Sequence, residues 1–217
     1  SGLTTTGATV IQNLDSTSKS ILIWRAMLQW LGGIGIIVIA IAIFPILKIG
    51  GMQLFQSEFS SKEEKVLPRT TKIATGIGFV YFFLTIICSF SLFITGMSGF
   101  DSLAHGMTII ATGGFSTKDM SIGFFDSVYI EFITIFFMIL SSLPFILLFQ
   151  SVRGKLIDLV KSSQVQFFLI LITSVTVLVA FWLKRYYEVD FFQSLRISAF
   201  AVTSISTGSG FSTYDFS

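Results

Sequence analysis

The chain has 217 residues, 53% hydrophobic and 12% charged, with a mean hydropathy of +0.83, a balance far too apolar for a soluble domain that places it in a membrane. The net charge of +2 is too small to imply a nucleic-acid partner, and no phosphate-binding or dinucleotide glycine motif occurs. The single cysteine, Cys88, lies in an apolar run, which leaves no internal disulfide and suggests no metal cluster. The single histidine, His105, makes no catalytic constellation, so the chain is not read as an enzyme.

In chain order, Ser1 to Val10 reads as the end of a short helix followed by a Gly/Ser/Thr loop. It starts without an initiator methionine or a signal peptide, so the chain looks cut from something longer. Four apolar runs then reach spanning length: Ile21–Leu47, Ile73–Met97, Val128–Phe149 and Val165–Leu183. Two shorter runs, Ser102–Ala111 and Phe191–Ser206, lead into Gly-rich loops and read as re-entrant pore helices, the second about one helical turn longer. Gly32, Gly33 and Gly35 suit close helix packing, and Pro45 with Gly50-Gly51 would end the first span. Arg25 and Arg196 are expected near the outer interface, Arg25 snorkelling to it, and His105 is expected to make a helix-packing hydrogen bond.

Gly114-Phe-Ser-Thr-Lys-Asp119 recurs as Gly210-Phe-Ser-Thr-Tyr-Asp215, matching at five of six positions, and Thr6-Gly7-Ala8-Thr9 is a looser third copy. The glycines lie 107 and 96 residues apart. Non-helical backbone at membrane depth is tolerated only where protein buries it or where it lines a watery path. Backbone carbonyls and Ser/Thr hydroxyls in such loops can replace the water around a hard cation. The candidate ion-binding residues are therefore Thr5, Thr6, Gly7 and Ala8; Thr112, Gly113, Gly114 and Phe115; and Gly208, Ser209, Gly210 and Phe211. Asp15, Asp119 and Asp215 follow their loops, either as an outer mouth that concentrates cations or as capping residues. Ser121 lies beyond the second loop and is expected to be indifferent to ion passage.

Five Lys/Arg between Lys48 and Lys72, and Arg153, Lys155 and Lys161 after the third span, put both linkers in the cytoplasm, so all three loops open outward. The first linker is either a solvated loop or a docking surface. The expected fold is an all-α polytopic membrane protein of helix, re-entrant pore loop and helix units. It divides into 1–50 (end of a first unit), 51–72 (linker), 73–150 (second unit), 151–164 (linker) and 165–217 (start of a third).

Taken in order, Ser1–Val10, Trp24-Arg25, Trp30–Gly35, Gly50–Leu54, Ala111–Gly123 and Gly208–Phe216 resemble the TrkH/KtrB/HKT superfamily of potassium transporters, most closely its bacterial TrkH branch. The resemblance implies four such repeats around one potassium path in the bacterial inner membrane, with filter glycines at Gly7, Gly114 and Gly210. It further implies a homodimer and a cytoplasmic ring of nucleotide-binding TrkA-type subunits, with K+ as the transported ion and no cofactor in this chain. A glycine at position 7 is similar to the potassium-selective members. Thr207-Gly208-Ser209-Gly210 departs from the usual threonine-rich run. By the same resemblance, part of the first and third repeats and all of the fourth would lie outside these residues, leaving a filter ring unclosed by this segment. The competing reading is an ion-coupled secondary carrier.

Overall fold

The computed structural model describes residues 1–47, 66–187 and 190–214, and every regular element among them is helical. Lys19–Leu47 (α1) and Val66–Ile94 (α2) are 29 residues each. Gly99–Ile110 (α3) is a 12-residue helix that ends in the second Gly-rich loop. Val128–Ser142 (α4), Phe145–Val152 (α5) and Leu156–Lys161 (α6) follow. The long Ser163–Tyr187 (α7) then leads to Phe191–Ser206 (α8), 16 residues ending in the third loop. Two short 3-10 turns, Leu14–Ser16 and Ser121–Phe125, stand after the first and second loops.

α8 has the bounds expected of it, and α3 is four residues shorter. α3 starts three residues earlier than its apolar run because Ser98 caps it, its hydroxyl accepting from the Asp101 amide at 3.1 Å. The helix after the second loop is not continuous. α4 and α5 are bent by 99° at Leu143-Pro144, with Leu143 extended (ψ 151°). Pro144 has no amide hydrogen to continue the ladder and disfavours helical backbone in the residue before it. α4 alone rises about 22 Å, short of a hydrocarbon core of roughly 30 Å. α1 continues past Pro45 to Leu47, while Gly50-Gly51 and most of the first linker lie outside the described residues. Val66–Lys72, expected as linker, is the first part of α2, and the second linker contains the short helix α6 rather than loop alone.

The core lies around α3. Ile109 and Ile110 pack with Tyr81, Cys88, Leu92, Ile122, Ile130, Met138, Phe200 and Phe211, so elements on both sides of two Gly-rich loops share one interior. α1 docks through Trp30, whose indole donates to Thr85 at 2.9 Å and whose carbonyl accepts from the Tyr81 hydroxyl at 2.9 Å. A methyl on Gly32 would overlap the Leu3 carbonyl, and one on Gly33 would meet the Tyr81 hydroxyl, which accounts for both glycines as close contacts; Gly35 has open space. The outward faces of α2 and α7 carry exposed Phe79, Phe83, Phe90, Phe167 and Leu178, a lipid-facing surface.

Candidate functional site

The three Gly-rich loops have one backbone. Each contains a left-handed residue, a residue outside that region, and a left-handed glycine: Thr5 (φ 54°) and Gly7 (76°), Thr112 (50°) and Gly114 (77°), Gly208 (71°) and Gly210 (77°). Each also begins with the two-amide pattern of a Schellman end, turned back onto α3 in the second loop, α8 in the third and a turn at residues 2–5 in the first. Thr112 donates to Ile109 and Gly113 to Thr108; Gly208 to Ile205 and Ser209 to Ser204; Thr5 to Gly2 and Thr6 to Ser1, all at 2.9 to 3.1 Å. A β-branched residue at positive φ is strained, so its presence in two of three copies marks a conformation the surroundings impose. The Gly208 departure in the third loop is the relaxed occupant of that same position.

The loops also interlock. A Cβ on Gly7 would overlap the Gly113 carbonyl, and one on Gly114 would overlap the Ser209 carbonyl, so each glycine of the first two loops lies against the middle carbonyl of the next. Positive φ and lack of space thus demand glycine twice over at both positions.

Beyond the second loop, the residues of Gly-Phe-Ser-Thr-Lys-Asp stitch the loop down. Phe115 is buried. The Ser116 hydroxyl pairs with His105 Nε2 at 3.0 Å, while His105 Nδ1 donates to the Asp101 carbonyl at 2.8 Å, so the imidazole bridges α3 to the loop. Thr117 donates to the Asp101 carboxylate at 2.7 Å. The Asp119 carboxylate accepts from the Leu14 amide at 2.9 Å, and the Asp15 carboxylate pairs with Lys118 at 3.2 Å. Between capping and a cation-gathering mouth, Asp119 has the capping geometry. Asp215 lies outside the described residues. Ser121, expected to be indifferent to ion passage, has a structural contact: at φ 54° it accepts from the Ser212 amide at 3.3 Å, next to a Gly123 amide donating to the Ser212 carbonyl at 3.1 Å.

Three polar side chains, Arg25 and Gln29 buried and Arg196 half-buried, make contacts around the loops that were not placed there from the sequence. Arg25 does not snorkel; its guanidinium is 4.2 Å from the centre of the Phe115 ring and donates to Thr9 at 3.0 Å. Arg196, expected near the outer interface, is half-buried and meets the buried Glu131 in the first turn of α4 at 3.4 Å. Gln29, fully buried on α1, donates to the Gly113 carbonyl at 2.6 Å and accepts from the Phe115 amide at 3.1 Å. The available signal was a polar residue inside an apolar helical run, where an unsatisfied amide or charge is costly.

A family model described as "TrkH: Cation transport protein" matches residues 1–217. The chain is 42% identical over 222 residues to the Trk system potassium uptake protein TrkH of Halomonas elongata, covering 100% of this chain and 46% of that protein. It is 35% identical to the Trk system potassium uptake protein TrkG of Escherichia coli, again over 100% of the chain and 45% of the relative. The crystal structure of the potassium transporter TrkH from Vibrio parahaemolyticus superposes with a TM-score of 0.86 at 36% identity, covering 98% of this chain and 43% of that one. The chain therefore spans about half the length of the relatives it matches. With a match along its whole length and an all-helical membrane fold in common, the chain belongs to the TrkH family of cation transport proteins.

Proposed function

We propose that the three loops are strands of a cation-selectivity filter and that this chain is the part of a potassium uptake transporter that carries them. The observation that carries the reading is the threefold recurrence of one strained, interlocked backbone. The amides of Thr5, Thr6, Thr112, Gly113, Gly208 and Ser209 are already bonded to the turn that precedes each loop. What these strands have left to offer is oxygen, from carbonyls and threonine hydroxyls, which suits a hard cation and not an anion. α3 and α8 end at the loops, so both direct the negative ends of their dipoles there. Potassium as the ion rests on the relatives' names.

A pore is favoured over a secondary carrier because α3 and α8 each end in a copy of the same loop, so the repeats share one order of elements. A carrier with a midplane site built from broken helices more often uses inverted repeats. Under this reading the basic linkers face the cytoplasm of a bacterial inner membrane. A homodimer with a cytoplasmic ring of TrkA-type nucleotide-binding subunits completes the proposal, supported by the resemblance and by the "Trk system" naming of the relatives.

Gly114→Ser in the complete transporter tests the filter. The added side chain would collide with the Ser209 carbonyl at a φ that disfavours it. Potassium depends on a wide ring of backbone oxygens, so rubidium tracer uptake and the rubidium-to-sodium ratio should fall together in cells lacking other potassium uptake. Retention of the parental ratio at matched expression sinks the filter reading.

A further inference from the structure

In the first and third loops the middle residue is braced by its own loop. Thr4 and Thr6 hydroxyls are 2.7 Å apart, and Thr207 and Ser209 hydroxyls 2.9 Å. The second loop has Ala111 and Gly113 at those positions and no hydroxyl to use. Its place is taken from another unit: a Cβ on Gly113 would meet the Gln29 side-chain amide carbon at 2.5 Å, so the carboxamide fills the space a middle side chain would need. Gln29 then spans Gly114 from both sides, with a donated bond to the Gly113 carbonyl and an accepted bond from the Phe115 amide. The orientation of the amide is dictated by its partners, since a carbonyl can only accept and a backbone amide only donate.

We infer that Gln29 is a specificity-determining positioning residue: it holds the second strand from α1 and lowers the field strength of the Gly113 carbonyl, the same oxygen that lies against Gly7. This rests on the filter reading above. A carbonyl has two lone pairs, so one accepting from Gln29 is still able to meet a cation with the other, as a weaker ligand. If selectivity follows the field strength of coordinating carbonyls, weaker oxygens favour the larger, weakly hydrated ion. The second strand therefore differs from its neighbours in chemistry while matching them in backbone.

The test uses the complete transporter reconstituted in vesicles, with paired rubidium and sodium flux and the thermal midpoint of the purified protein. Q29L removes both bonds and should lower the rubidium-to-sodium ratio several-fold, more than it changes total flux. Q29E at mildly acidic pH, where a protonated carboxyl again donates to Gly113 and accepts from Phe115, should recover the parental ratio that it loses at alkaline pH. G113S should be damaging alone and less so combined with Q29A, which vacates the space. Parental ratios in both Q29L and alkaline Q29E overturn the inference, as does a Q29E ratio that ignores pH. Misfolding of both Gln29 variants would make the residue a core brace and also overturn it. An altered ratio in Gly114→Ser beside parental ratios at Gln29 removes this inference alone; parental ratios in all of them remove the filter as well.

Discussion

The seam between the first and second loops and the seam between the second and third repeat one contact with different chemistry. In both, a glycine of one loop lies against the middle carbonyl of the next. Around the first seam the helix leaving the first loop, α1, sends a neutral amide and a guanidinium to the loop itself, Gln29 to Gly113 and Arg25 to Phe115. Around the second seam the helix leaving the second loop, α4, sends a carboxylate to α8, Glu131 to Arg196. The architecture sets where neighbouring units meet and leaves open how each meeting is held. A repeat protein can thereby make chemically unequal walls from equal backbones.

Breaking the second seam should have the larger effect on the fold. Glu131 is buried and Arg196 mostly so, and removing one partner of such a pair strands the other's charge. We expect E131Q to lose about 2 to 4 kcal/mol, allowing for the partial exposure of Arg196. E131L combined with R196M should recover most of that loss. Thermal inactivation of the purified protein checks both, and a double variant no better than the single one would mean that packing, not charge, holds the seam.

The asymmetry also marks what was legible in the sequence. The two helices long and apolar enough to cross, Ile73–Ile94 and Ser163–Tyr186, were legible because a bilayer forces about 20 apolar residues on any helix that crosses it, and the repeated Gly-Phe-Ser-Thr pattern located two loops. The break at Pro144 was hidden by apolar residues on both sides of it, which keep hydropathy high whether or not the chain bends. Ser98 starts α3 through a side-chain bond that hydropathy does not register. Arg25, Arg196 and Gln29 were visible as polar residues in or beside apolar runs, but their direction depends on which helix packs where. That information is tertiary, and a snorkelling arginine and one stacked on Phe115 look alike in a sequence.

The first seam has an outer clasp, and a smaller effect is expected from opening it. Asp119 accepts from the Leu14 and Asp15 amides, at 2.9 and 3.5 Å, as a capping side chain does. Asp119→Ala should cost about 1 kcal/mol, the usual loss for such a cap. Asp119→Asn keeps an acceptor and discards the charge. If capping is the role, Asn should restore stability and leave the rubidium half-saturation unchanged at low ionic strength. A raised half-saturation in Asn that salt abolishes would instead give Asp119 the cation-gathering role.

The smallest effect concerns the left-handed position that opens each loop, where the two seams can be sharpened against each other. Thr112 and Gly208 occupy it in the second and third loops, with φ of 50° and 71°. An L-residue there costs roughly 1 to 2 kcal/mol, partly offset by the smaller entropy it loses on folding compared with glycine. Thr112→Gly should therefore stabilise the protein by up to about 1 kcal/mol, and Gly208→Thr should destabilise it by a similar amount. Space does not forbid the second change, since a Cβ on Gly208 would have nothing within 4 Å. Function should move the other way. Thr112→Gly removes a hydroxyl from the strand and should lower rubidium uptake despite the firmer fold, whereas Gly208→Thr adds one and should keep uptake near the parental level. Paired melting and tracer measurements on the two variants decide it: stability changes of the same sign would mean that the loops do not share a backbone requirement. Raised uptake in Thr112→Gly would mean that the strained threonine is kept for something other than its oxygen.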